Sequence, residues 1–335
     1  MRRLKKWGLA ALFILLGLEI LTLAPKSLNT PQEAAIKPKV DKTLAPKSAV
    51  TTMSQMMHGV HLVETSAGKK EWELDSDYAQ GFKDKGTWKL QGVHVKFFGA
   101  AGTEYSVTGD KGSVHTETKD MEINGHVVTT TSDGYMVKSN SLKYVSTDKT
   151  LSTPDHVEIT GPETKDGKFE MVGRGLQAVL DTSTMTLKDQ VRASKSVTGN
   201  RDMVIHSKWA RINGKNNQAH FEDNVQVDLE NVRMTGQQAD FVYESNTKSL
   251  TSLLLQGNVR VTDRQRWAAS QQAQVLFAEN EFILLGNPRV LQDDNELRGE
   301  EIRFINGGKE VRVIKAKARV ENELNQINSN TTKRP

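Results

Sequence analysis

A short phrase, a turn residue followed by valine and then alternating polar and apolar residues, recurs along most of this chain. The first valines of its copies are Val93, Val127, Val157, Val191, Val225, Val259, Val290 and Val320, in steps of 34, 30, 34, 34, 34, 31 and 30 residues. Such a period means that one unit is built repeatedly and that neighbouring units stack to bury a common core. The sequence therefore predicts a repeat protein over residues 58–322, not a set of unrelated globular domains.

A second phrase keeps step with the first. It has a small residue, followed by apolar residues three and five positions later, as in Gly236-Ala239-Phe241. The gap from the small residue to the next valine is 18 residues in four successive copies. Two phrases locked in phase are hard to produce by chance. The small residues are Gly109, Ser139, Gly173, Ser207, Gly236, Ser270 and Gly299.

The repeat unit is predicted to be β. Apolar and polar residues alternate at period two, as in Val225-x-Val227-x-Leu229, which is typical of a strand with one buried face. Asn, Asp and Gly stand between these runs, where turns favour them, so Gly125, Gly257 and Gly286 are interpreted as turn residues. A unit of 30 to 34 residues has room for about four short strands. The segment "QRWAASQQAQVLFAEN" (265–280) has a composition that also suits a helix, but its phase matches the strand copies.

Composition excludes several classes of protein. Hydrophobic residues make up 36% and aromatic residues 6% of the 335 residues, which suits a thin core between two sheets. The net charge is only +4, with Lys and Arg scattered among acids, so no nucleic-acid partner is expected. The chain contains no cysteine, which permits an oxidising compartment.

The N-terminus predicts a membrane anchor over residues 1–24. A basic start, "MRRLKK", precedes the 18 residues Trp7–Ala24, which carry one charge, Glu19. This length suits a membrane-spanning helix, and the basic residues would hold the N-terminus in the cytoplasm. A cleavable signal peptide is the alternative, but Pro25 would follow its cleavage site directly. An uncleaved single-pass anchor is therefore favoured.

Two further segments are predicted to lack a packed fold. Residues 25–57 contain four prolines, at 25, 31, 38 and 46, and the phrase "TLAPKS" occurs at 22 and again at 43. This composition predicts a flexible linker. The polar residues 322–335 are predicted to be a disordered tail.

Motifs for catalysis are absent from the sequence. It has no His-Glu-x-x-His, no Gly-x-Ser-x-Gly and no Gly-x-x-x-x-Gly-Lys. His58 and His61 lack further metal ligands nearby, and His126 and His156 occupy the turn position where other copies have Asn or Gln. The prediction is a protein with no catalytic residues, no metal and no cofactor. A glycan-active β-helix enzyme stays open as an alternative, although no cluster of acids points to it.

Two groups of motifs resemble known families. The stretch "GVHLVETSAGKKEWELDSDYA" (59–79) and "INGHVVTTTSDGY" (123–135) resemble LptC, the membrane-anchored periplasmic component of lipopolysaccharide export. The stretches "LLLQGNVRVTD" (253–263) and "LLGNPRVLQDDNELRGEEIRFI" (284–305) are similar to LptA and the wider OstA-like group. The resemblance places an LptC-like domain at 58–195 and an LptA/OstA-like domain at 196–321 of one chain.

The resemblance implies a fold, a cargo and partners. The fold would be all-β, an elongated OstA-like jelly-roll of two facing antiparallel sheets with one N-terminal transmembrane helix. The cargo would be lipopolysaccharide, carried in a hydrophobic groove. The partners would be an inner-membrane ABC transporter (an LptBFG-like complex) and an outer-membrane LptD-like receptor or further OstA-like domains, joined by edge-strand pairing. The chain would be a single-pass protein of the inner membrane with its bulk in the periplasm.

The candidate groove residues are those on the repeating apolar face, and each has the alternative that it is ordinary core. A structural or adhesive β-solenoid without lipid cargo is the alternative function. Tightly packed side chains throughout the interior would favour that alternative, and an open apolar trough would favour transport. The candidates are Val95, Phe97, Val127, Tyr144, Val157, Leu176, Trp209, Val225, Phe241, Val259, Phe277 and Phe304.

Overall fold

A computed structural model describes residues 53–82, 86–99, 102–164, 167–197, 201–264, 266–292 and 295–319, all within one compact unit, Thr51–Pro335. The predicted anchor Trp7–Ala24 and the predicted tail lie outside these residues. Within them, no helix is long and apolar enough to cross a membrane. The first strand begins at Met53, inside the segment predicted to be linker.

The described residues form 21 strands in one antiparallel network in which strands pair mainly with their neighbours along the chain. The first half comprises β1 (Met53–Ser66), β2 (Lys69–Phe82), β3 (Thr87–Phe98), β4 (Glu104–His115), β5 (Met121–Thr131), β6 (Met136–Val145), β7 (Thr150–Thr164), β8 (Gly167–Val179), β9 (Thr184–Val197) and β10 (Arg201–Ser207). The second half comprises β11 (Trp209–Asn213), β12 (Gln218–Leu229), β13 (Val232–Tyr243), β14 (Leu250–Thr262), β15 (Arg266–Leu276), β16 (Glu281–Leu285), β17 (Arg289–Gln292), β18 (Asn295–Arg298), β19 (Glu301–Ile305), β20 (Glu310–Ile314) and β21 (Lys317–Arg319).

The all-β prediction is confirmed, but the unit differs from the predicted four short strands. Each full repeat has two long strands, such as β13 and β14, and each is divided by a register shift near its middle. At the shift between β9 and β12 the division is complete, and β10 and β11 are separate strands pairing with the same neighbours. The helical alternative for 265–280 is wrong, because 266–276 is strand β15.

The recurring Gly-Asn phrase lies inside a strand and not in the turn before one. Gly257 and Asn258 have φ values of 81° and 52°, yet both belong to β14. Gly125 and His126, with φ values of 83° and 44°, lie within β5 in the same way. Left-handed backbone of this kind favours Gly and Asn, and it produces a bulge that bends the strand. The predicted turns are therefore corners at which one strand passes from one layer of the fold to the other.

The two phase-locked phrases are the two members of one ladder pair at these corners. Opposite each valine stands a small residue, because the bend leaves little room: a Cβ built on Gly173 would lie 2.5 Å from Leu187 Cδ2. Where the small residue is serine, its hydroxyl serves the corner; Ser207 Oγ donates to Trp209 O at 2.9 Å. The pairs are Val93–Gly109, Val127–Ser139, Val157–Gly173, Val191–Ser207, Val225–Gly236 and Val259–Ser270.

Gly173→Ala is expected to destabilise the fold by about 1–3 kcal/mol, the usual cost of overpacking. The added methyl would strike the fully buried Leu187 side chain. Gly214→Ala is the matched control, since its Cβ would have no neighbour closer than 3.6 Å. Urea unfolding of both variants gives the comparison. Equal midpoints for the two would show that Leu187 has space to move away.

Apolar residues line the inner face on both sides of the corners. One row passes from strand to strand as Leu74, Val95, Val107, Thr129, Val137, Ile159, Met171, Ala193, Ile205, Val227, Met234, Val261, Ala268, Val290 and Leu297. Beyond the corners a second row runs Leu176, Leu187, Ala210, Phe221, Ala239, Leu255, Ala273, Leu284 and Ile302. Because both rows are largely buried, the two layers face each other across one core.

The core is divided into two clusters. The first holds the tilted ring pair Phe97–Tyr144, with centroids 4.5 Å apart. The second holds the edge-to-face pair Phe221–Phe241, 5.3 Å apart. Leu151 belongs to the first cluster and Val157 to the second, so the core divides within β7. At the predicted domain boundary near residue 195, by contrast, β9 and β10 pair without a register shift.

Candidate functional site

A cavity of about 300 Å³ lies between the two layers where the two core clusters meet. Its lining comes from β4 to β9 and from β11 to β13, with the adjoining turns. This volume is at the lower end of the range for small-molecule sites, which are concave and mostly apolar. The apolar part of the lining consists of Leu142, Leu151, Ile159, Phe169, Leu176, Ala178, Met185 and Ile212.

Local sequence explains why the layers do not meet here. The row of the first layer carries Thr129 where its neighbours have larger apolar groups, and the second layer contributes Thr153, Ala178 and Ala219. To either side of these small residues, the aromatic pairs of the two clusters fill the space between the layers. Small side chains facing each other between two aromatic pairs therefore leave the cavity.

Three tyrosines place polar groups in this apolar setting. Tyr105, Tyr135 and Tyr243 all line the cavity, and burial raises the pKa of each phenol. For Tyr105 a hydrogen bond with Ser183 opposes part of that rise in pKa. The hydroxyls therefore stay protonated at neutral pH, and each can donate a hydrogen bond to an acceptor on a ligand.

Lysines also contribute to the lining. Lys195 is only 7% exposed, while Lys215 is exposed and Lys248 half-buried. Lys248 Nζ donates to Asn217 Oδ1 at 3.3 Å. An apolar cavity with ammonium groups at its border suits an amphiphile with an apolar chain and an anionic head. Among the described residues, no group of three or more His, Asp or Glu side chains could hold a metal ion, so what the arrangement can do is bind.

Most of the predicted groove residues lie on the inner face, but in the packed clusters. Leu176 is the one of the twelve that lines the cavity. Phe304 is partly buried against the second cluster, with its ring 6.0 Å from that of Phe282. The other inner-face candidates are buried core: Val95, Phe97, Val127, Tyr144, Val157, Val225, Phe241, Val259 and Phe277.

Trp209 is not brought into the interior. Its neighbour Ala210 is buried in the core, so Trp209 lies on the opposite face of β11. Its ring lies 5.5 Å from that of His220 and 5.4 Å from the Arg211 guanidinium. The reason is the break between β10 and β11, which shifts the alternation by one residue.

Sequence reasoning missed most of the cavity. Tyr105, Tyr135 and Tyr243 stand outside the valine phrases, and Lys195 was read only as a scattered charge. One signal was present: Thr129 and Ala178 are small or polar residues at positions where other copies carry larger apolar ones. A gap in an otherwise apolar row can mark a place where the core is not filled.

The fold and the cavity define a class, that of layered antiparallel β-proteins able to hold an apolar ligand between their sheets. Residues 9–196 match the family model described as lipopolysaccharide-assembly, LptC-related. Because this match covers more than half of the chain, the protein belongs to that family. Residues 204–310 match a second family, described as LptA/(LptD N-terminal domain) LPS transport protein.

Comparison with individual proteins adds less. No curated protein matches the chain. Among solved structures, LptH from Pseudomonas aeruginosa, titled the LptA homologous periplasmic component of the lipopolysaccharide transport device, is similar at 14% identity and a TM-score of 0.33. That match covers 36% of this chain and 95% of LptH, and its score is too low to carry an argument.

The resemblance to an LptC-like half followed by an LptA-like half is confirmed by the two family matches. They support a component of a periplasmic lipopolysaccharide transport bridge, and a transport protein, not an enzyme. Its periplasm-facing character follows from the LptC-related family.

Proposed function

We propose that this protein receives lipopolysaccharide from an inner-membrane ABC transporter, an LptBFG-like complex, and carries it between its two layers toward the outer membrane. The residues Trp7–Ala24 would anchor it in the inner membrane, with the remaining chain in the periplasm. The observation that supports this most directly is the apolar row that crosses the sheet from Leu74 in β2 to Leu297 in β18. A path for acyl chains has to be apolar over its whole length.

The energetics of such a path are favourable. Burying one methylene contributes about 0.8 kcal/mol, so ten methylenes of an acyl chain would contribute about 8 kcal/mol before the costs of binding. The charged and hydroxylated head would stay in water, near the lysines at the border of the cavity. This division would keep the lipid soluble while leaving the head group hydrated.

The two ends of the sheet support the proposed partners. Among the described strands, β1 pairs only with β2, and β20 pairs only with β19. Both edges carry exposed apolar side chains, such as Met56 and Val63 on β1 and Val311 on β20. An exposed edge can accept a strand from another domain. We infer that β1 faces the transporter and that β20 faces an LptD-like receptor or a further OstA-like domain.

A photo-crosslinking amino acid at Phe169 is expected to capture lipopolysaccharide in cells, because Phe169 lines the cavity. The same amino acid at Trp209 is the matched control, since that side chain lies on the outer face of β11. Adducts are detected by immunoblotting for lipopolysaccharide after irradiation. Adducts at neither position, with the protein folded and the membrane otherwise normal, would favour the alternative of a structural β-array without lipid cargo.

A further inference from the structure

The contact between β6 and β7 is the most interrupted pairing around the cavity. The ladder stops after Lys138–Glu158 and resumes at Lys143–Ser152, which leaves out residues 139–142 and 153–157. Between β4 and β5, and between β13 and β14, the interruption leaves out two residues on one strand and three on the other. We name residues 139–142 and 153–157 the β6–β7 seam. Because backbone hydrogen bonds are missing over this length, the seam is a place where the sheet can open locally.

The corner of β7 is also built differently. A left-handed residue precedes the valine at the other corners, as with Gly92 before Val93 and Gln190 before Val191. No residue from Thr153 to His156 has a positive φ, and the segment contains Pro154. Proline has no N–H to donate to a ladder, so it cannot restore the missing backbone bonds.

Side chains bridge the seam instead. Ser141 Oγ donates to Asp155 Oδ2 at 2.7 Å and lies 3.3 Å from Thr153 Oγ1. The backbone N–H of Asp155 donates to Thr153 Oγ1 at 3.2 Å. Hydroxyl and carboxylate groups of this kind exchange protein partners for water at little cost when a strand moves away. The seam is therefore held closed by contacts that can be broken without unfolding either layer.

The cavity lies directly behind the seam. Ser139 and Leu142 from β6 and Thr153 from β7 belong both to the seam and to the cavity lining. The core also divides here, with Leu151 in the first cluster and Val157 in the second. An opened seam would therefore connect the solvent to the cavity and to both clusters at once.

We propose that the cavity is a resting site for a single acyl segment of the transported amphiphile, which enters and leaves through the β6–β7 seam. The inference rests on the proposed transport function. The cavity volume of about 300 Å³ suits one chain better than the several chains of a whole lipopolysaccharide. The apolar lining takes the chain, and Lys215 and Lys248 at the border favour an anionic head group outside it. The two core clusters are then successive stations with this site between them.

A disulfide across the seam tests the proposal. The natural chain has no cysteine, so Ser141→Cys with Thr153→Cys introduces the only pair. The two hydroxyl oxygens are 3.3 Å apart, which brings these side chains close enough for a disulfide to form after a small adjustment. The full-length protein also carries the photo-crosslinking amino acid at Phe169, and lipopolysaccharide adducts are measured in cells. We expect the oxidised seam to lose these adducts and reduction by dithiothreitol to restore them.

The matched control places a disulfide where the ladder is unbroken. Ser196 and Asp202 are direct partners on β9 and β10, with Ser196 Oγ 2.8 Å from Asp202 Oδ1. Ser196→Cys with Asp202→Cys should leave the adducts at Phe169 unchanged under both conditions. Thiol labelling confirms that each disulfide has formed.

The outcomes separate the inference from the proposed function. Full adduct yield with the oxidised seam would overturn the seam as the entrance while leaving lipopolysaccharide transport in place. No adduct at Phe169 even without cysteines would instead remove the support for the proposed function. A second variant, Ala178→Trp, fills the cavity from β8 without touching the seam and should also abolish the adducts. Retained adducts in a folded Ala178→Trp protein would overturn the cavity as the resting site.

Discussion

Replacing Phe241 by aspartate is expected to unfold the second core cluster. The side chain is 0% exposed and packs edge-to-face on Phe221. An unpaired carboxylate in this apolar position would cost several kcal/mol, a large share of the roughly 5–15 kcal/mol that stabilises a typical protein. Circular dichroism and urea unfolding should show a large drop in stability or no cooperative transition, and the variant should fail to support lipopolysaccharide transport in cells.

Val242→Asp is the control for that experiment. Val242 is the next residue of β13, points to the other face and is 37% exposed. Its replacement should cost less than about 1 kcal/mol, the span of strand propensities. A stable Phe241→Asp beside an unfolded Val242→Asp would mean that the inner and outer faces of β13 are reversed.

The strands and their buried face could be predicted because period-two alternation is a local property of the chain. The repeating valines from Val93 to Val290 are all buried in the structure, whereas Val320 lies outside the described residues. The locked phase of valine and small residue also had a local cause, since the two are partners on adjacent strands. Alternation failed at Trp209, where a break between two strands shifted the phase by one residue.

The corners were mistaken for turns because the same residues serve both. Gly257 and Asn258 adopt left-handed backbone, which a hairpin turn also favours, and the sequence does not show whether pairing continues on the far side. The ladder does continue: Gln256 pairs with Gln272 before the corner, and Val259 pairs with Ser270 after it. Four expected short strands thus became two long bent ones in each repeat.

The cavity could not be predicted from one strand at a time. It depends on which small residues face each other across the two layers, such as Thr129 and Ala178, and that pairing is set by the whole fold. The valine period also crosses Val157 without a skip, so it gave no sign that the core divides there. Pro154, inside a strand that is not at the edge of the sheet, was the one available signal.

The double replacement Val311→Lys with Ile314→Lys should disconnect the protein from its neighbour on the outer-membrane side. Both side chains lie on β20 and are 46% and 49% exposed, so the fold itself should change by no more than about 0.5 kcal/mol. Lysine on an edge strand opposes pairing with a further strand, since docking would have to bury its charge. A photo-crosslinking amino acid at Arg312, also exposed on β20, should form an adduct with an LptD-like or OstA-like partner in the parent protein and lose it in the double variant.

Val63→Lys on β1 is the matched control, because Val63 is exposed on the opposite edge of the sheet. It should keep the adduct at Arg312 and weaken contact on the transporter side instead. The two edges then act independently, as expected if lipid passes through the sheet from β1 to β20. If the β20 adduct and lipopolysaccharide transport both survive the double lysine variant, β20 is not the docking edge, and the downstream partner must bind another surface. If Val63→Lys removes the β20 adduct as well, docking at the two edges is coupled, and the assignment of one partner to each edge is wrong.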